Sequence, residues 1–207
     1  MRAHLRAGIA VFNEGQYHAA HDAWEERWLD LEEGSDDERF LHGLIQFTAA
    51  VHHATNGNGE GARGLAESAA EYLDGLGDSY RSVDLGAARR FLSDLATDPT
   101  VLADDDAGPP ALRYEGDALG YEALGVEATA IAAEILAEEA GFDPAPIERA
   151  TTYARQDLSL GYEDSEFVAL LFDFVREADD RALVHERLSA KVAKRARRED
   201  DVTGLFD

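Results

Sequence analysis

The chain has 207 residues, no cysteine, and 43 acidic against 19 basic side chains, a formal net charge of −24. That length suits one large domain or a domain with an extension, and 45% hydrophobic residues supply a core that a disordered acidic chain lacks. Without cysteine, disulfides, thiolate metal sites and cysteine nucleophiles are excluded.

The acids are spread along the whole chain instead of forming a tail, and Lys191 and Lys194 are the only lysines. Such a composition suits a cytoplasm of molar salt, where a Debye length of about 3 Å screens the self-repulsion. The segment Met1-Arg2-Ala3-His4-Leu5-Arg6 carries charge where a signal peptide needs an apolar core. No run approaches the ~18 apolar residues of a membrane span. The expectation is a cytoplasmic, salt-adapted (halophilic) protein without membrane contact.

Helical periodicity dominates, and no segment shows strand alternation, so the expected class is all-α. A first helix is predicted over Ala3–Asn13, ended by Gly15, and a second over Gln16–Leu31. Gly34-Ser35-Asp36 turns the chain, with Ser35 or Asp36 as the cap of a third helix over Asp37–Thr55. That helix is apolar around most of its circumference and should be central. Asn56-Gly57-Asn58-Gly59 stops it; further helices follow over Glu60–Leu76 and from Asp84 to Ala96. Residues 1–97 thus read as an N-terminal five-helix bundle. Residues 98–111, with three consecutive aspartates and Gly108-Pro109-Pro110, read as an acidic, proline-bearing linker. Residues 112–207 read as a C-terminal helical extension, with helices over Val126–Ala140, Pro144–Asp157, Ser165–Ala178 and Asp180–Arg198. Asp143 is its clearest cap, with Pro144 at the first helical position. Phe167 to Val175 is too apolar to be a free arm.

The chemistry concentrates on the second helix. His21 and Glu25 stand four residues apart, one above the other, beside Tyr17, Trp24 and Trp28. Read as bordering an aromatic stripe, Glu25 needs a partner, because an unpaired buried carboxylate costs several kcal/mol. A short turn makes helices two and three an antiparallel hairpin, with facing residue numbers adding to roughly 67 or 68. His21 then stands level with Gln46 and Phe47, and Glu25 with His42 and Gly43. His42, Gln46, Ala49, Ala50 and His53 share one stripe, while His52 points elsewhere. Two readings stand side by side. In one, His21 and Glu25, with His52 or His53, hold a divalent metal, the nitrogen and carboxylate donors suiting Zn, Mn, Fe or Ni. Gln46, His42, Trp24 and Trp28 would orient ligands or line the pocket. In the other, the same groups form a buried hydrogen-bond network that only fixes packing.

The run Lys191-Val-Ala-Lys194-Arg195-Ala-Arg197-Arg198 is the one positive cluster; it suits a helix C-terminus, and nucleic acid is not an expected partner of so acidic a chain. No nucleophile elbow or phosphate-binding glycine loop occurs.

The strings Phe12-Asn13-x-Gly15-x-Tyr17-x-x-x-His21-Asp22-x-x-Glu25-x-x-Trp28, Leu41-x-Gly43-Leu44-Ile45-Gln46, Ala49-Ala50-x-His52-His53 and Gly57-Asn58-x-x-Gly61-Ala62 together resemble domain-of-unknown-function family 309 over about residues 1–97. The resemblance implies a helical bundle labelled a predicted metal-dependent hydrolase, with no settled substrate. It supports His21, Glu25 and His52, with Gln46 frequent. The family's usual Glu is Asp22 here, and His42 stands where Gln or an apolar residue is common. The implied activity is a metal-dependent hydrolase of an unknown small-molecule substrate, His21 and Glu25 being catalytic; the alternative is a non-catalytic helical interaction module. Homo-oligomerisation stays open. One physical consequence is independent of both: the melting temperature should rise steeply between low and molar KCl, and a flat melting curve series would assign the charge to a partner instead.

Overall fold

Alternating apolar stripes of helical period place most of this chain in helices that bury one face each. The computed structural model describes residues 1–102 and 108–203, with side chains to residue 201. Among the described residues are α1 (Arg2–Asn13), α2 (Tyr17–Leu29), α3 (Asp36–Thr55), α4 (Gly59–Leu73) and α5 (Gly86–Thr97), followed by α6 (Val126–Glu139), α7 (Ala145–Ser159), α8 (Glu166–Arg176) and α9 (Arg181–Thr203). The chain divides into two compact units, Met1–Leu124 and Gly125–Asp207. No described helix is long and apolar enough to cross a membrane.

In the first unit each helix packs on the next in sequence, α1 on α2 and so on to α5. The third helix takes the central place expected of it, touching both α2 and α4 and burying residues from Phe40 to Ala54 around most of its girth. Ser35 caps it, its hydroxyl accepting from the Glu38 N–H at 3.2 Å, and Asn58 caps α4 by accepting from Gly61 N–H at 3.0 Å. Helices α1 and α2 approach closely at Gly8. Trp24 is fully buried, its indole donates to the His4 carbonyl at 3.1 Å, and a Cβ at Gly8 would overlap the indole ring.

The absence of strands is corrected. A small antiparallel sheet of order β1-β2-β3-β4 joins Ser79–Tyr80, Val83–Asp84, Arg113–Tyr114 and Asp117–Ala118. Strands of two residues are too short for alternation to register. Their signal lies in the turns: Arg81 and Ser82 both have positive φ, 49° and 67°, the mirror-image turn that matches strand twist. Arg81 is anchored by a forked contact to Asp37, which also accepts from the Tyr80 hydroxyl at 2.8 Å. The third strand pairs with β2 through Val83 and Tyr114, and Asn13 at the end of α1 clips the same segment, bonding Leu112 through both backbone groups and the Leu119 carbonyl. Residues 108–124 therefore belong to the first unit. The aspartate run read as the heart of a linker, residues 103–107, lies outside the described residues.

In the second unit α6 packs on α7 and α8, and α9 on α7 and α8. The apolar stretch of α8 buries Phe167, Leu171, Phe174 and Val175. Asp143 accepts from the Ala145 N–H at 3.1 Å, but Pro144 is the cap residue and the proline inside the first turn is Pro146.

Because the Gly8 site has no room for a methyl group, Gly8→Ala forces Trp24 or α1 to move. Chemical denaturation should show a loss of about 1–3 kcal/mol; an unchanged midpoint would mean that this contact does not set the α1–α2 approach.

Candidate functional site

The core side of α2 is made by Ala19, Ala20, Ala23 and Trp24, all buried. At about 100° per residue, Glu25 points about 170° from the mean direction of that stripe. The expectation that Glu25 is buried and closely partnered is corrected on this ground: its side chain is 47% exposed and its carboxylate lies 3.9 Å from His21 Nδ1, beyond hydrogen-bonding reach. The reading erred by centring the core on Tyr17 and Trp28, which are only half-buried, rather than on the alanines.

The close partner of His21 is Asp22, with Oδ1 3.0 Å from Nδ1. The Asp22 contact raises the His21 pKa above its ordinary value; burial opposes this, and the Glu25 and Asp22 charges add to it. Ligand atoms of His21, Asp22 and Glu25 all lie within 4.8 Å of one another, the one such group of three among the described residues. This joins two residues predicted from sequence, His21 and Glu25, to one that was noted only as a departure from the family pattern, Asp22. His52 and His53 are not part of it.

The remaining predicted residues fall elsewhere. Trp24 lies in the core. Trp28 and His42 meet at the other end of the α2–α3 hairpin, with ring centroids 4.6 Å apart, and Tyr72 of α4 stacks on His42 at 3.8 Å. Glu38, 14% exposed, accepts from the Trp28 indole at 2.7 Å and faces His42 Nδ1 at 3.5 Å, while the Gln46 amide nitrogen lies 3.4 Å from His42 Nε2. Trp28, Glu38, His42 and Tyr72 line an open cleft of about 670 Å³. His52 meets His18 of α2, centroids 5.4 Å apart, and His53 Nδ1 lies 2.7 Å from the Asn58 amide nitrogen. The pairings Trp28–His42 and His18–His52 put α3 about two residues further along than expected. Sequence reasoning missed Glu38, Tyr72 and His18; the shifted register brings His18 opposite His52, whereas Tyr72 comes from α4.

In the second unit the basic run lines a cleft of about 820 Å³ that is also lined by Asp157, Glu163, Asp164 and Glu166. Arg195 pairs with Asp157 at 2.6 Å and Lys191 with Glu166, so acids of α7 and α8 answer the charge of α9.

Residues 5–65 match the family model described as Domain of unknown function (DUF309). The matched stretch holds every site residue predicted from sequence. No curated protein matches the chain.

The raised His21 pKa has a sign that can be measured. A protonated His21 favours the fold, and that contribution is complete below the unfolded value of about 6.5 and is lost as pH rises through the folded value. In the metal-free protein, an NMR titration of His21 should give a lower midpoint for Asp22→Asn than for the wild type; identical midpoints would show that Asp22 does not hold the proton.

Proposed function

We propose that the chain is a metal-dependent hydrolase of a small-molecule substrate, with His21, Asp22 and Glu25 as the residues that hold a divalent ion. The observation that carries this reading is the convergence of one imidazole nitrogen and two carboxylates on one solvent-facing side of α2. All three residues lie within the stretch, residues 5–65, that matches the DUF309 model.

The donor set fits. One nitrogen and two oxygen donors suit Zn, Mn, Fe or Ni, and ligands at about 2.0–2.2 Å from one ion lie up to about 4.4 Å apart, close to the spacing present. A divalent ion so held supplies Lewis acidity and a water of lowered pKa. The chain's own groups do the rest. Asp22 orients the imidazole of His21 and competes for its proton. Glu25, exposed and unconstrained by packing, has the freedom to close on a ligand. All three open to solvent, which leaves a side for substrate to approach.

A second reading rests on the exposure of the same groups. With Asp22 39% and Glu25 47% exposed, the cluster also suits a hydrated surface ion pair worth about 0–1 kcal/mol, in a helical module that binds partners without chemistry.

Glu25→Gln separates them. The variant keeps the shape of the side chain and removes its charge, and at this exposure it should stay within about 0.5 kcal/mol of wild-type stability. On the hydrolase reading, calorimetry with Zn²⁺ and Mn²⁺ on untagged protein shows binding that weakens sharply in the variant. A wild type that takes up no divalent ion at millimolar concentration leaves the interaction-module reading standing.

A further inference from the structure

The cleft beside the α2–α3 turn is built from groups that the His21 cluster does not use. We propose that this cleft binds an organic ammonium ion, held by the aromatic walls of Trp28 and Tyr72 and by the carboxylates of Glu33, Glu38 and Glu71.

The walls carry the inference. Trp28 and Tyr72 line the cleft and are only half-buried, so both rings meet solvent there. Each also packs on His42, with centroids 4.6 and 3.8 Å apart, which fixes the rings in place before any ligand arrives. His42 faces Glu38 through Nδ1 at 3.5 Å and Gln46 through Nε2 at 3.4 Å, so it acts as the support of the walls. At about 670 Å³ the cleft falls within the roughly 300–1,000 Å³ of small-molecule sites. The face of an aromatic ring attracts a cation within about 6 Å of its centre, and indole does so best.

Charge sets the sign of the ligand. Glu33 and Glu71 are exposed, and neither side chain has a hydrogen bond or ion pair among the described residues. Glu38 accepts from the Trp28 indole and the Gly34 N–H, neutral donors that leave its charge in place. The guanidinium at the cleft, Arg39, is taken by Asp36 at 3.8 Å and by the Asp74 carbonyl, neither of which lines the cleft. The surplus is negative and disfavours an anion.

The same lining chooses carbon over metal. Rings offer a metal ion no ligand atom, and among the described residues His, Asp and Glu donors converge within 4.8 Å only at His21, Asp22 and Glu25. An ammonium that carries alkyl groups uses both parts of the cleft. Its carbon lies against the rings and its charge faces the acids.

The test uses the untagged full-length chain in calorimetry and in a tryptophan-fluorescence titration at matched ionic strength. Tetramethylammonium and putrescine are the probes; potassium and butanediol are the controls. The expected result is saturable binding of at least one ammonium, with a binding constant weakened about two- to fivefold by Glu71→Gln, by Glu33→Gln and by Tyr72→Leu. Tighter binding of tetramethylammonium assigns the grip to the rings, and tighter binding of putrescine assigns it to the carboxylates. Glu67→Gln removes an exposed acid of α4 outside the cleft and should bind as the wild type does. If Tyr72→Leu fails to fold, the two exposed variants still decide. Equal losses in Glu67→Gln and Glu71→Gln overturn the inference, because the −24 charge then draws the cation without a site. So does equal binding of potassium or butanediol, or a wild type that shows no saturable binding of either ammonium at millimolar concentration.

Discussion

The burial of Trp24 over Gly8 is the contact from which the chemistry of the first unit follows. It is fully buried, its indole nitrogen is satisfied by a carbonyl of α1, and no side chain fits beneath it. Fixing one residue of a helix fixes the rotation of the whole helix. With Trp24 and the alanines turned inward, His18, His21, Asp22 and Glu25 fall within an arc of about 100° on the outer face. Their exposure is thus a consequence of packing on the opposite side. A helix turned by one residue in the sense that carries Trp24 away from the core would bury His18 and Asp22 and expose the tryptophan, at a cost that burial of an indole, worth about 3–5 kcal/mol on truncation, makes prohibitive.

The other end of α2 sets the register against α3. Trp28, His42 and Tyr72 stack across three helices, and Glu38 ties the stack to the α2–α3 turn by accepting from the Trp28 indole and the Gly34 N–H. Each aromatic contact of this kind adds about 0.5–1.5 kcal/mol beyond area burial. A carboxylate of the kind sequence reasoning expected at Glu25 exists at Glu38, largely shielded and satisfied mainly by neutral donors. This anchor matters for the opposite end of the hairpin, because the register that seats Trp28 on His42 is the same one that brings His18 to His52.

Much of this was legible in the sequence, and the failures share a cause. The Ser35 cap was readable because it acts locally: the side chain does at the start of α3 what it does at any helix start, whereas Asn58, read only as part of a stop, also caps α4. The central place of α3 was readable because apolar residues surround it. The inward face of α2 was not, since large aromatics drew the stripe toward Tyr17 and Trp28 while small alanines, which permit close helix approach, marked the true core. The strands went unseen because two-residue ladders carry no period; only Arg81-Ser82 and Glu115-Gly116, with their positive φ values, betray the hairpins. Register across the α2–α3 turn depends on how Glu38 and Trp28 meet, a tertiary contact that numbering alone does not supply.

Charge and ligation play different parts at the outer face of α2. A surplus of acid draws cations of every kind toward the chain, and in the second unit Lys191 and Arg195 of α9 are paired with acids of their own unit. In dilute buffer that field concentrates divalent ions without choosing among them. In molar salt it reaches only about 3 Å, and long-range attraction disappears. What then remains is direct coordination, to imidazole nitrogen and carboxylate oxygen alike, at distances of about 2 Å that lie inside the screening length. Selection of an ion by a chain of this composition would therefore rest on donors that converge on one point, as the His21 imidazole and the Asp22 and Glu25 carboxylates do within 4.8 Å of one another.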